Sequence, residues 1–370
     1  MKVKEVSHKK WLKAFFRLLR KIYRNDKNFV HPLKIERKEF LDPKRNPFFK
    51  HAEYEFILAE ENGEPLGVII PFIDKKYNEY HNEKACHFGF FECVNDKDVS
   101  HELFQRTFAF ASGKGMEVIR GPFNFSTNHE CGLLVQGFDS PPVVLMTYNP
   151  AYYIDLITSE GYTKAKDLLA FRIDAKPVPD ALVQVCENIK RETGAETRKM
   201  RKRDFSILVN LAMEIYNDAW SENWGFVPMD RDEFIFVARG LKLLMDEELC
   251  FFVMKEDKPV GFSITLPDYN LPLKEMNGKL FPFGLIKFLI NKRKIKNARI
   301  FALGIKKEFH DKGFGALLYL ETWKNLLEKG YKWAEMSWIL EDNHRMIKAI
   351  ELAGGSVYKI YRIYEKRVEK

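Results

Sequence analysis

His310-Asp311-Lys312-Gly313-Phe314-Gly315 stands between a strand-like run, residues 299–305, and a helix-like run, residues 316–329. Two glycines one residue apart let the main chain bend tightly, so that successive N–H groups and the positive end of the next helix face one anion. Strand, basic glycine turn and helix together predict a cradle for a phosphate or pyrophosphate. The commoner nucleotide loops do not fit. A Walker loop needs Gly, four residues and then Gly-Lys-Ser/Thr, and no such run follows Gly313. A dinucleotide fingerprint needs a third glycine where Leu318 stands.

Downstream, residues 331–339 read as a second strand, 343–353 as a short helix stopped by Gly354-Gly355, and 357–364 as a final strand. This order resembles the second half of the GNAT superfamily of acyl-CoA-dependent N-acyltransferases. The loop of that family reads Arg or Gln, two residues, Gly, one residue, then Gly or Ala. Here the glycines match and His310 takes the first place. Asn343 lies where the family often has an asparagine contacting the cofactor; the residues alone read it equally well as a helix N-cap.

Upstream, residues 249–254 and 260–266 read as two strands joined by a polar turn, preceded by helices at 205–216 and 234–245. Between those helices runs Trp220-Ser221-Glu222-Asn223-Trp224-Gly225. The resemblance implies that this loop lines the acceptor pocket, with Trp220, Glu222, Asn223 and Trp224 as its substrate-binding residues.

The same order recurs in the first half. Residues 56–59, the Asn62-Gly63 turn and 66–72 copy the strand pair, with Pro65 and Gly67 matching Pro259 and Gly261. The turn at 95–98 has no glycine and carries two aspartates, which repel a pyrophosphate. The expected fold class is therefore α/β (α+β), with two tandem GNAT-like domains, each a mixed, mostly antiparallel twisted sheet flanked by helices. Residues 1–175 are expected to form a degenerate copy for acceptor recognition or support, and 176–370 the acyl-CoA-binding copy. A dense polar tract in the first copy, residues 124–132, offers Asn124, Asn128 and Glu130 for acceptor recognition; a structural loop is the alternative.

Composition agrees with two cores, because 370 residues exceed one usual domain and 46% are hydrophobic. The five cysteines show no C-x-x-C spacing, which argues against a zinc site or a disulfide framework. Lysines and arginines interrupt residues 11–22, so no signal-peptide core is read there, and no segment reaches the roughly 20 apolar residues of a membrane span. A cytoplasmic protein is expected. The net charge of +8 suits a negatively charged cofactor. No RNA-binding signature accompanies the basic run at 198–203, so nucleic acid is not expected as a partner. An apolar, basic insertion, residues 280–296, falls between two strands as a lid, a docking face for the first half, or a membrane-surface foot.

The resemblance implies transfer of an acyl group, from acetyl-CoA or another acyl-CoA, to the amine of a small molecule or amino acid. It implies a pantetheine arm between splayed strands, with N–H groups near Leu303, Gly304 and Ile305 on the thioester oxygen. His310, Asp311, Lys312, Gly313, Phe314, Gly315 and Ala316 would hold the pyrophosphate. Glu308, Glu335 and Glu222 are candidate bases, and Tyr319, Tyr358 and Tyr361 stand near the place of the family's acid tyrosine, which Ile350 occupies. An aminoacyl-tRNA-dependent transferase of similar tandem form and a non-catalytic CoA-binding protein are the alternatives.

Overall fold

The computed structural model describes residues 1–276, 278 and 284–369. The chain divides into two compact units: Met1–Leu169 with Asn277–Leu280 and Lys359–Lys370, and Ala170–Met276 with Phe281–Tyr358. A single cut between residues 175 and 176 leaves the chain's last residues with the second unit, whereas here they pair with a strand of the first.

The first unit runs β1 (Lys2–Glu5), α1 (His8–Ile22), α2 (Lys34–Phe40), β2 (Ala52–Tyr54), β3 (Ile57–Glu61), β4 (Glu64–Asp74), α3 (Lys75–His81), β5 (Ala85–Cys93), α4 (Lys97–Gly113), β6 (Val118–Gly121), β7 (Phe123–Asn124), β8 (Glu130–Cys131), β9 (Leu133–Gln136), α5 (Tyr153–Thr158) and the start of β10 (Thr163–Asp174), whose residues from Ala170 on belong to the second unit. Helix α1 starts where the Ser7 hydroxyl accepts from the Lys10 N–H, and its apolar stripe Trp11, Phe15, Leu18 and Leu19 is buried, as residues three and four apart on one face must be. The sheet order is β1-β3-β4-β5-β6. It is antiparallel except for β5 and β6, which run parallel through Ala85↔Val118 to His87↔Arg120.

The second unit adds α6 (Asp180–Thr193), β11 (Glu196–Lys199), α7 (Phe205–Ala219), α8 (Arg231–Leu244), β12 (Cys250–Lys255), β13 (Lys258–Pro267), α9 (Asn270–Lys274), α10 (Gly284–Lys292), β14 (Asn297–Ile305), α11 (Phe314–Glu328), β15 (Trp333–Leu340), α12 (His344–Leu352) and the start of β16 (Ser356–Arg367), whose residues from Lys359 on belong to the first unit. Its order is β15-β14-β13-β12-β11, again antiparallel except at one parallel pair, β14 and β15. From Tyr364 to Arg367, β16 pairs antiparallel with β6 of the first unit's sheet. Helix α6, absent from the sequence reading, lays Cys186 into the core with Phe314, Leu317 and Leu318 of α11. The basic run at 198–203 lies along β11 and beyond it, where Arg198 meets Glu196 and Asp257 at 2.8 and 3.1 Å. Of the insertion at 280–296, residues 280–283 lie outside the described residues.

The repeat is written into the register. The β3–β4 ladder shifts at Ala59/Glu60, opposite Gly67 and Pro65, and the β12–β13 ladder shifts at Val253/Met254, opposite Gly261 and Pro259. All five cysteines are buried with free thiols. Among the described residues no helix is long and apolar enough to cross a membrane, and no group of three or more His, Cys, Asp or Glu is arranged to hold a metal.

One buried carboxyl makes the first unit pH-sensitive. Glu92 on β5 accepts from the Tyr153 and Tyr23 hydroxyls at 2.8 and 3.1 Å. Burial pushes it up to about 8, against an ordinary 4.5, and the two phenol bonds only partly offset that. A raised pKa in the folded state means that the stability is fully present below about 4.5 and is lost as pH rises to about 8. Stability in urea should fall by about 1.4 kcal/mol per pH unit across that window, and Glu92→Gln should flatten the profile. A profile unaltered by Glu92→Gln removes this assignment.

Candidate functional site

Strands β14 and β15 pair only from Asn297↔Trp333 to Ile300↔Met336. Beyond that point β14 continues to Ile305 and β15 to Leu340 without a shared ladder, so the two strands open into a cleft. The break coincides with a register shift on the other side of β14, where Ile264↔Ala302 is followed by Thr265↔Ile300. Phe301 is therefore the extra residue of a β-bulge, and a bulge bends its strand. The Lys306 N–H on the Val260 carbonyl, at 2.8 Å, sets the alternation of the ladder. Residues 302, 304 and 306 direct their amides to β13, and Leu303 and Ile305 direct theirs to the opened edge. Of the three residues expected to hold an oxyanion, Gly304 is thus turned away, and it has a different task. A Cβ on Gly304 would lie 2.4 Å from the indole ring of Trp220. Only glycine lets that ring, stacked on Tyr216 at 4.8 Å, lie flat against the strand. Gly304→Ala should displace the indole at about 1–3 kcal/mol, seen as a shift in tryptophan emission; an unshifted spectrum contradicts the contact.

The loop expected as a cradle is more regular than its glycines suggest. Residues Lys307–Lys312 form a 3-10 helix, and Gly313, at φ +76°, turns the chain into α11. No side chain caps α11; the Ala316 N–H meets the Gly313 carbonyl at 2.9 Å, and the Phe314 and Gly315 N–H groups have no partner within the helix. His310 turns back, its Nε2 2.9 Å from the Ile305 carbonyl oxygen, while Arg345 of α12 donates to the His310 carbonyl at 3.0 Å and meets Asp311 at 3.4 Å. Arg345, unnoticed in the sequence, braces the loop and offsets the charge of Asp311. Asn343 accepts from the Met346 N–H at 3.1 Å and caps α12.

Around the vertex of the cleft lies a buried polar cluster. Arg299 and Glu335 are register partners, 2% and 0% exposed. Ser337 donates to Glu335 Oε1 at 2.5 Å, and the Tyr358 hydroxyl donates to Oε2. Arg299 Nε donates to the Ser337 hydroxyl at 3.2 Å, and its guanidinium lies over the Phe301 and Trp338 rings. The other carboxylates stand differently. Glu308 is exposed on the 3-10 helix. Glu222 reaches Lys307 at 2.6 Å, and that bond holds it below the usual carboxylate range. Tyr319, one turn into α11, donates to Met346 Sδ at 3.0 Å, and burial pushes its phenol up to about 12. Ile350 is buried in the core. In the loop expected to line an acceptor pocket, Asn223 donates its N–H to the Trp220 carbonyl, and Trp224 is half-buried.

The corresponding cleft of the first unit is filled by its own chain. Parallel pairing of β5 and β6 stops at His87↔Arg120, as that of β14 and β15 stops at Ile300. Counting from these points, Phe90 corresponds to Leu303, and its N–H donates to Asn124 Oδ1 at 2.7 Å. Asn124 Nδ2 donates to Glu130, which Arg37 grips with two bonds of 2.7 and 3.0 Å. Burial acts to raise Glu130, but Arg37 overcomes it and holds the carboxyl below its ordinary value. Phe125 stacks at 4.6 Å on Phe48. At the head of α4, Asp96 accepts from the Asp98 and Val99 N–H groups at 2.9 and 3.4 Å, so a carboxylate takes the place that the second unit leaves uncapped. Asn124 and Glu130 are thus engaged within the first unit, and Asn128 donates its N–H to Ser126.

No family model matches the chain. Among curated proteins it is 36% identical over 364 residues to the bacterial ceramide synthase of Caulobacter vibrioides, covering 96% of this chain and 94% of that one. It is 33% identical over 375 residues to YghO of Escherichia coli, covering 99% and 95%. Among solved structures, a tandem GNAT protein from the clavulanic acid biosynthesis pathway superposes on 100% of the chain with a TM-score of 0.60 at 9% identity, and 99% of that chain is covered. A GCN5-related N-acetyltransferase from Sphaerobacter thermophilus superposes with a TM-score of 0.54 at 12% identity, with 100% and 96% covered. The tandem GNAT fold expected from the sequence is the fold observed.

Proposed function

The chain belongs to one family with the Caulobacter bacterial ceramide synthase and Escherichia coli YghO, and on that footing we propose that it is an acyl-CoA-dependent N-acyltransferase whose acceptor is the amine of a long-chain amino alcohol. The observation that carries the reading is the opened edge of β14, where the Leu303 and Ile305 amides point away from β13 beside a helix with an uncapped N-terminus. In this reading the amide groups hold the thioester oxygen as it gains charge, and the head of α11 with Gly313 and Gly315 holds the pyrophosphate. The name of the Caulobacter relative narrows the acceptor class, since a ceramide is an N-acylated long-chain amino alcohol.

The amine attacks the thioester carbonyl carbon, the new C–N bond replaces the C–S bond, and the sulfur leaves as a thiolate. The amine's surplus proton passes to Glu335 through the Ser337 hydroxyl, which already donates to that carboxylate. Tyr358 and Arg299 orient Glu335 and Ser337. Tyr319, the one tyrosine of α11, supplies a phenol for reprotonating the thiolate. Trp220 and Trp224 present aromatic surface to an apolar acceptor, and the first unit, its own cleft filled, serves as support.

The test is product analysis by mass spectrometry, with purified protein, acetyl-CoA or palmitoyl-CoA, and either sphinganine or a mixture of amino acids. The expected result is one amide of sphinganine per free thiol released. Turnover confined to the amino acids, or none with either donor, would overturn the proposal.

A further inference from the structure

We propose that α10 is a membrane-surface foot, which lies on the headgroup region of a bilayer carrying anionic phospholipid. Leu285, Ile286, Leu289 and Ile290 are 43%, 56%, 57% and 59% exposed. At about 100° per residue these four fall within an arc of roughly 140° on the helix surface. Lys287 and Lys292 border the arc on either side, and Arg293, Lys294 and Lys296 follow it, all exposed. The opposite side of the helix faces its own unit, where the Phe288 ring stacks on Tyr269 at 5.7 Å. An apolar strip edged by cations on both flanks is the form of a helix that lies in a membrane interface, with lysine stems along the acyl boundary and ammonium groups among phosphates.

A second feature adds to the charge argument. Lys292, Arg293 and Lys296 also line a cavity of about 430 Å³ with Lys202, Lys329 and the Tyr269 ring. Two carboxylates share it, Asp246 and Glu247, and each is already met by a cation: Lys329 lies 2.8 Å from Asp246, and Arg201 lies 3.2 Å from Glu247. The excess positive charge beside the apolar strip fits a phosphate-bearing surface better than an uncharged apolar partner. At nine residues α10 is too short to cross a bilayer and is suited to lie on one. Such a foot would bring an enzyme of the proposed function to an acceptor that dissolves poorly in water.

The experiment is co-sedimentation of the full chain with vesicles of phosphatidylethanolamine and phosphatidylglycerol, and with vesicles of phosphatidylcholine alone. Binding to the anionic vesicles should weaken with added salt and exceed binding to neutral ones by about tenfold or more. The variant I286S/L289S tests the apolar strip and the variant K292Q/R293Q/K296Q tests the charge. Each should lower the anionic-vesicle partition by about tenfold, with the thermal midpoint and acyl-CoA affinity unchanged. Equal partition onto both vesicle types, an unaltered partition of either variant, or a dimer in solution that I286S/L289S dissolves would overturn the proposal. None of these readouts depends on turnover, so a failed foot and a failed acyltransferase reading are told apart.

Discussion

Glu335→Gln lowers turnover roughly 10²–10⁴-fold, the usual worth of a positioned general base, and leaves the affinity for acyl-CoA as it was. The amide keeps the size and one acceptor oxygen of the carboxylate, so one of the two hydroxyls that now donate to it, Ser337 and Tyr358, keeps its acceptor. What the amide lacks is a site for the amine's proton. A purely structural Glu335 would lower the thermal midpoint and weaken acyl-CoA along with kcat, and would leave the shape of the pH–rate profile alone. The predicted signature is a loss in kcat with the affinity kept and the acidic limb of the profile gone. Turnover within threefold of the parent would remove Glu335 from the mechanism.

Arg37→Ala should destabilise the protein by about 3–5 kcal/mol, the usual result of stripping a partner from a buried ion pair. The Arg37 and Glu130 side chains are only 12% and 20% exposed, and Glu130 in turn holds Asn124, whose carbonyl oxygen accepts from Phe90. Loss of Arg37 therefore leaves a buried carboxylate without its cation and loosens the segment that fills the first unit's cleft. Arg37→Met with Glu130→Gln should recover much of the loss, since no charge is then left stranded. Acid should act in a known direction. The folded-state pKa of Glu130 lies below the ordinary 4.5, so the pair's contribution is present above that value and lost as pH falls through the folded pKa. Urea unfolding at pH 7 and pH 4 checks both statements: the gap between parent and Arg37→Ala should be wide at the first and narrower at the second. Coincident curves at pH 7 contradict the account.

Legibility in the sequence followed the kind of interaction involved. Strand order and the tandem repeat were readable because they rest on alternation and on glycine and proline at ladder shifts, which are local in sequence. The pairs Pro65/Gly67 and Pro259/Gly261 mark the same bulge in both units. Helix α6 escaped because its buried face is thin: Cys186 is its one buried residue, with Leu182, Val183 and Ile189 partly covered. Of the expected cradle, the backbone features were legible: Gly313 turns the chain at φ +76°, and of residues 303–305 Leu303 and Ile305 present their amides to the opened edge while Gly304 does not. The Arg299–Glu335–Ser337–Tyr358 cluster was not legible as a unit, although Glu335 and Tyr358 were named singly, because it is assembled from three strands. Its one local sign was charge inside apolar strands, Arg299 between Ala298 and Ile300 and Glu335 between Ala334 and Met336. In the polar tract at 124–132 the sequence left acceptor recognition and a structural loop open, because the partner that engages Glu130, and through it Asn124, is Arg37, ninety-three residues from Glu130 in sequence.

Isothermal titration of the intact chain with a non-hydrolysable acyl-CoA analogue is the most direct test of the central claim, that the second unit's opened strands and the head of α11 form the one acyl-CoA site. The account predicts one ligand per chain, abolished by Gly313→Val and undiminished by Asn124→Ala. Two ligands per chain, or full affinity in Gly313→Val, would contradict it.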